Sequence, residues 1–203
     1  MRWYVILVAL VALSRSIHES TAPNFAVNAS TAVPVEVEDL VANAALLLEA
    51  KITSARCIAG VGGCVDTEYS LAVARTFWGE HAPVQVLRLP GGVLPDGRGM
   101  VLPGVPHFSL GEDVVLALSE ANDDGLRMPI GLDQGCYRLR VEANGDRFAW
   151  RVPAASARID MATGRIHSGG AAWGAPYGQL VARMTAAVAA RRSGVIGPSE
   201  VGR

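Results

Sequence analysis

Leu46-Leu47-Leu48-Glu49-Ala50-Lys51-Ile52-Thr53-Ser54-Ala55-Arg56 decides the fold class of this chain. Leu46, Leu48, Ala50 and Ile52 alternate with Leu47, Glu49, Lys51 and Thr53. That alternation puts one set of side chains toward a core and the other toward water, as in a half-buried strand. The segments that follow repeat the reading. Cys64 to Phe77 carries Val65, Tyr69, Leu71 and Val73 on one face, and Arg75 breaks the alternation in the manner of a bulge. Trp78-Gly79 and Pro83 mark a turn. Val84 to Leu89 is a third strand, stopped by Pro90-Gly91-Gly92. Asp113 to Ser119 is a fourth, with Val114, Leu116 and Leu118 inward. Cys136 to Val141 and Arg147 to Val152 form a hairpin about Asn144-Gly145, a strong two-residue turn signal.

Around these strands lie helices and loops. Val35 to Ala44 spaces Val37, Leu40, Val41 and Ala44 for a short helix, with Glu36, Glu38 and Asp39 early, where the helix dipole favours negative charge. Val93 to Gly111 is a long loop rich in Gly and Pro. Asn122-Asp123-Asp124-Gly125 reads as a turn, and Ile159 to Ile166 as a short hairpin about Thr163-Gly164. Tyr177 to Arg192 is an amphipathic helix with Leu180, Val181, Met184, Ala187 and Val188 on one stripe. Pro176 suits its first turn and Gly194 its end. No helix falls between residues 46 and 152, which argues against a parallel sheet. The expected fold is mainly β: a small antiparallel barrel of about five to six strands with a short N-terminal and an amphipathic C-terminal helix. The barrel is expected over residues 35–153, the second hairpin and C-terminal helix over 154–192, and a loose tail over 193–203.

The chain has 203 residues, a net charge of −1 and 50% hydrophobic residues. This is too apolar for a disordered chain and too near neutral for a broad nucleic-acid surface. Met1-Arg2 precedes an apolar run from Trp3 to Leu13, followed by Ser14-Arg15-Ser16. That is the plan of a secretory signal peptide, cleaved after Ser16. The run of 11 residues falls short of the roughly 20 that cross a bilayer. Export to the periplasm or the medium is therefore expected, with no stable membrane insertion after cleavage. Ile17 to Pro34, rich in Ser, Thr, Ala, Asn and Pro, reads as a flexible arm.

Export permits disulfides. Cys57 and Cys64 bracket Ile58-Ala59-Gly60-Val61-Gly62-Gly63 between two strands, and a bridge across that hairpin root is expected. Cys136 is left as a small buried hydrophobe. Three cysteines without paired CxxC spacing do not make a zinc site, and no cofactor is expected.

The stretch from Glu38 to Leu139 resembles a group of secreted bacterial domains of uncharacterised role. The resemblance runs through Asp39-Leu40-Val41, Val73 to Gly79 and Leu89-Pro90-Gly91-Gly92. It is clearest in Pro103-Gly104-Val105-Pro106-His107-Phe108-Ser109-Leu110-Gly111-Glu112-Asp113-Val114-Val115-Leu116, and ends with Ile130-Gly131-Leu132-Asp133-Gln134-Gly135-Cys136-Tyr137-Arg138-Leu139. It implies a five-stranded barrel of the oligonucleotide/oligosaccharide-binding type, as in tissue inhibitors of metalloproteinases. Some relatives sit upstream of a matrixin-type protease domain. Two departures stand out. Relatives carry a Lys where this chain has Trp78. The N-terminal Cys with which such inhibitors chelate zinc has no counterpart at Ile17, so that mechanism does not carry over.

Sequence signatures of catalysis are missing. Gly79-Glu80-His81 lacks the second His of HExxH, and Phe108-Ser109-Leu110-Gly111 is no nucleophile elbow. His107 with Glu112 and Asp113 is a polar cluster beside the Gly/Pro loop. It reads either as acid/base residues of a hydrolase or as a solvated turn feeding a strand. Asp123-Asp124-Gly125 lacks the spaced oxygens of a calcium loop, and no metal site is expected. Trp78, Trp150 and Trp173 read either as a ligand platform or as packing residues. Arg88, Arg138, Arg140, Arg147 and Arg151 make an anion-binding surface only if they share a face. These features favour an exported non-enzymatic domain that binds a protein or peptide, in one version a protease modulator. The alternatives are a secreted hydrolase using His107 and Glu112, or a binder of carbohydrate or another small ligand.

Overall fold

A computed structural model describes residues 31–32, 35–123, 126–151, 157–159, 166–167 and 173–198. The leader at 1–16, most of the arm at 17–34, Asp124-Gly125 and the end of the tail lie outside these residues. In chain order the strands are β1 (Thr31–Ala32), β2 (Leu46–Ala59), β3 (Val65–Trp78), β4 (Val84–Pro90), β5 (Gly92–Val93), β6 (Gly99–Met100), β7 (Asp113–Leu118), β8 (Cys136–Val141), β9 (Arg147–Arg151), β10 (Ala157–Ile159), β11 (Ile166–His167) and β12 (Trp173–Pro176). Helix α1 (Val37–Asn43) precedes β2, and α2 (Tyr177–Arg192) follows β12.

The main sheet has seven strands in the order β12-β9-β8-β7-β2-β3-β4, and every neighbouring pair is antiparallel. It joins two meanders at the β2–β7 ladder. The expected barrel of fewer strands does not form. The sheet stays open, with β4 and β12 on opposite margins. Unequal strand lengths account for this. β2 and β3 run 14 residues each, whereas β7 and β8 run six. The β2–β7 ladder ends where Lys51 faces Asp113, so the far half of the β2–β3–β4 meander extends past the strands it would need to close upon. Register shifts at Leu47/Leu48, Glu49/Ala50 and Ile52/Ser54 bend the ladder locally. The second of these falls opposite Arg75, where the alternation of β3 breaks.

Over its middle strands both faces of the sheet are covered. On one, α1 and α2 pack Leu40, Val41, Leu180 and Met184 against Leu47, Val115, Tyr137 and Ala149. On the other, Leu48, Ile52, Leu71, Leu87, Leu89 and Leu116 form a second core, closed by Val105 and Phe108 from the Gly/Pro loop. Leu47 and Glu49 therefore do not face water as their alternation predicts. Leu47 is fully buried and Glu49 is 6% exposed. For the same reason Val114 to Leu118 is buried at every position, as a doubly covered strand must be.

Local chemistry fixes the remaining joints. Asp39 accepts from the Glu36 amide at the start of α1 (3.4 Å). Gly194, at φ +73, ends α2 in the left-handed conformation that favours glycine. β10 and β11 pair antiparallel through Ile159 and Ile166, and the expected Thr163-Gly164 turn lies outside the described residues. β1 pairs in parallel with β10, so the end of the arm contributes a strand.

The expected Cys57–Cys64 bridge is absent, and Cys57, Cys64 and Cys136 are free thiols. Register is the reason. Cys57 stands opposite Thr67, whereas the Cys64 carbonyl accepts from the Gly60 amide (2.8 Å). The two cysteines are thus offset by three ladder positions, roughly 10 Å at strand rise, beyond the span of a disulfide.

Candidate functional site

The loop between β6 and β7 turns back over the second core and brings the predicted polar residues to the start of β7. Glu112 pairs with Arg138 of β8, and its second oxygen accepts from the Ser109 amide (2.9 Å). Arg138 also donates to the His107 carbonyl, and its guanidinium lies 5.5 Å from the Phe108 ring centre. Phe108 meets Tyr69 edge-on, at 5.3 Å and 79°. Asp113 pairs with Lys51 (3.0 Å). Arg138 thus joins Glu112 to the His107 backbone, whereas Asp113, opposite Lys51 in the ladder, turns to the helical side of the sheet, and both carboxylates are engaged with cations. The His107 ring is exposed. Among the described residues no three His, Cys, Asp or Glu side chains are grouped to hold a metal ion.

Arg138 is the hinge between this loop and an aromatic strip. Along the sheet it faces Trp150 of β9, and Trp150 in turn faces Gly174 of β12. A side chain at Gly174 would place its Cβ 2.7 Å from the Trp150 ring, so the glycine lets the indole lie across the backbone of β12. Phe148 sits beside Trp150, with ring centres 5.2 Å apart and planes at 36°. Arg140, exposed, faces Phe148 across the ladder.

The other predicted binding residues lie elsewhere. Trp78 faces Leu47 beneath the helices, with the Arg191 guanidinium 4.1 Å from its ring centre. Arg191 also donates to the Val41 (2.8 Å) and Ala44 (2.6 Å) carbonyls, closing the end of α1. Trp78 is therefore a packing residue of the helical layer and shares no platform with Trp150. Trp173 enters the sheet through its backbone, opposite Arg151. Arg88 lies on β4, where it and Arg56 flank Glu68 at 3.3 and 2.9 Å. Those hydrogen bonds, Arg56 first, hold the Glu68 carboxyl below its usual range.

The five strand arginines do not share a face. Arg138 and Arg140 line the aromatic strip. Arg147 and Arg151 point to the helical side, where Arg147 pairs with Glu49 (2.6 Å) and buried Arg151 donates to the Val35 (2.9 Å) and Gln134 (3.3 Å) carbonyls. The single anion-binding surface that all five would have made is not formed.

Sequence reasoning missed a cluster on the helical side built around the buried Glu49. Glu49 receives the Arg147 guanidinium and the Tyr177 hydroxyl (2.5 Å), and Arg147 stacks 4.1 Å from the Tyr177 ring centre. The one signal for it was an acid inside the apolar run Leu46 to Ala50. No family model matches the chain, and neither a curated protein nor a solved structure does.

Proposed function

We propose that this chain is an exported, non-enzymatic binding domain for a protein or peptide partner. The observation that carries the reading is the margin formed by β4. It is a seven-residue strand whose only ladder among the described residues is to β3, with Val84 57% and Val86 52% exposed. An edge of this kind offers unpaired amides and carbonyls to an extended peptide, while alternate side chains supply selectivity. The engagement of Glu112 by Arg138 and Ser109, and of Asp113 by Lys51, supports a non-catalytic role over a hydrolase using His107 and Glu112. Export is supported by the Trp3 to Leu13 run and the small residues after it. The resemblance of Pro103 to Leu116 to inhibitor-like domains supports the protease-modulator version.

The test is binding and inhibition against metalloproteases secreted by the same cell, with the processed chain and a V84K/V86K variant. Capture by the parent and its loss in the variant is the expected result, since edge lysines oppose strand addition. No binding and no inhibition across the set would sink the modulator version. A second reading, a carbohydrate or small-ligand binder, is favoured by the Trp150–Phe148 pair beside Arg140. An unchanged tryptophan spectrum across a glycan panel would remove it.

A further inference from the structure

On the helical side, a groove of about 420 Å³ separates the end of β3 from the C-terminal half of α2, lined by Arg75, Thr76 and Phe77 and by Val188, Ala189 and Arg192. Its cations lack acids. The register puts Glu49 opposite Arg75, but both Glu49 oxygens are already occupied, by Arg147 (2.6 Å) and Tyr177 (2.5 Å). Arg75 rests instead 5.6 Å from the Phe77 ring centre, and Arg192 lies 6.0 Å from that of Trp78. Neither arginine forms an ion pair among the described residues, and both are exposed. The neighbouring Arg191 is committed to the Val41 and Ala44 carbonyls. Phe77, Val188 and Ala189 give the groove an apolar wall.

Two guanidiniums without carboxylates, set along an apolar wall, suit an oxyanion carried on an apolar body. The guanidinium fork matches carboxylate and phosphate geometry, and the volume lies within the range of small-molecule sites. The C-terminal carbonyls of α2 oppose an anion here. Arg192 in the last turn offsets them locally, and Arg75 adds a second cation from the sheet. We propose that this groove binds a small amphiphilic oxyanion, of the class of a medium-chain carboxylate or alkyl phosphate. Arg75 and Arg192 take its head, and Phe77 and Val188 its chain. This site is separate from the β4 edge, so either can fail without the other.

Titration calorimetry with octanoate, octyl phosphate, octanol and inorganic phosphate tests it, on the parent and on R75Q/R192Q. Both side chains are exposed, and an unchanged urea midpoint verifies that the variant folds. Octanoate or octyl phosphate should bind, and the tighter of the two identifies the preferred head. The variant should lose about tenfold or more in affinity, as expected for lost charge-assisted hydrogen bonds. Octanol and inorganic phosphate should each bind at least about tenfold more weakly than the amphiphilic anion. Equal binding of octanol, equal binding of inorganic phosphate, parent-like affinity in R75Q/R192Q, or no binding of either amphiphile overturns the proposal.

Discussion

Tyr177, the first residue of α2, donates its hydroxyl to Glu49 in the middle of the sheet at 2.5 Å. With Arg147 on the other oxygen, this bond satisfies a carboxylate that is 6% exposed and pins the start of the helix to β2. Removing a donor leaves a buried acceptor short, which costs about 1–3 kcal/mol. Tyr177→Phe should therefore lower the urea unfolding free energy by that amount. Tyr177→Phe combined with Glu49→Leu should cost less than the sum of the two single changes, because the acceptor is gone as well. Strictly additive costs would show that the two side chains are not coupled.

Gly79 ends β3 at φ +83, and a Cβ there would stand 2.2 Å from the Ala45 carbonyl oxygen. The clash is with backbone and cannot be relieved by a side-chain rotation. Gly79→Ala combines that overlap with a left-handed conformation that L-residues avoid. It should destabilise by more than about 2 kcal/mol. Gly145, at φ +86 but with open space around a Cβ, is the control. Gly145→Ala should cost only the conformational part, about 1 kcal/mol. Equal losses in the two variants would mean that the Ala45 contact is not what matters.

What could be read from the sequence was local. The Asn144-Gly145 hairpin and helix α2 appear where turn and cap residues placed them, because those signals act over a few neighbouring residues. The second covered face was not legible. Leu47, Val115 and Ala117 look like solvent-side positions in their strands, and only the docking of α1 and α2 buries them. Partners were hidden for the same reason. His107, Glu112 and Asp113 are close in sequence, but neighbouring Glu112 and Asp113 face opposite sides of the sheet. The Arg138 that engages Glu112 lies 26 residues away, and Tyr177 lies 128 residues from Glu49. The missing disulfide is also a matter of register, since composition shows the two cysteines near one turn but not which residue each one faces.

That register makes a prediction for thiol chemistry. Cys64 is exposed, Cys57 half-buried and Cys136 buried, and burial drives the Cys136 thiol far above its usual range. The thiolate is the reactive form, so a thiol reagent should modify Cys64 first, Cys57 more slowly and Cys136 only on unfolding. Adding a reductant beforehand should not change the number of thiols that react in denaturant. A Cys57–Cys64 cross-linked peptide in a non-reducing digest would contradict the register.

Alkaline pH should unfold the domain through its tyrosines. Burial is the leading cause that raises the hydroxyls of Tyr69, Tyr137 and Tyr177 above their usual range, and for Tyr177 the bond to Glu49 adds to it. A raised folded pKa means that the folded state holds its proton more tightly than the unfolded one. This stabilisation is fully present below the unfolded value, about 10, and is lost as pH rises through the folded values. Stability measured by urea should therefore be flat between about pH 7 and 9 as far as these groups are concerned, and fall above about pH 10. Tyr177→Phe should make that fall shallower, because one of the three protons no longer takes part. An unchanged slope in the variant would show that Tyr177 titrates alike in the folded and unfolded chains.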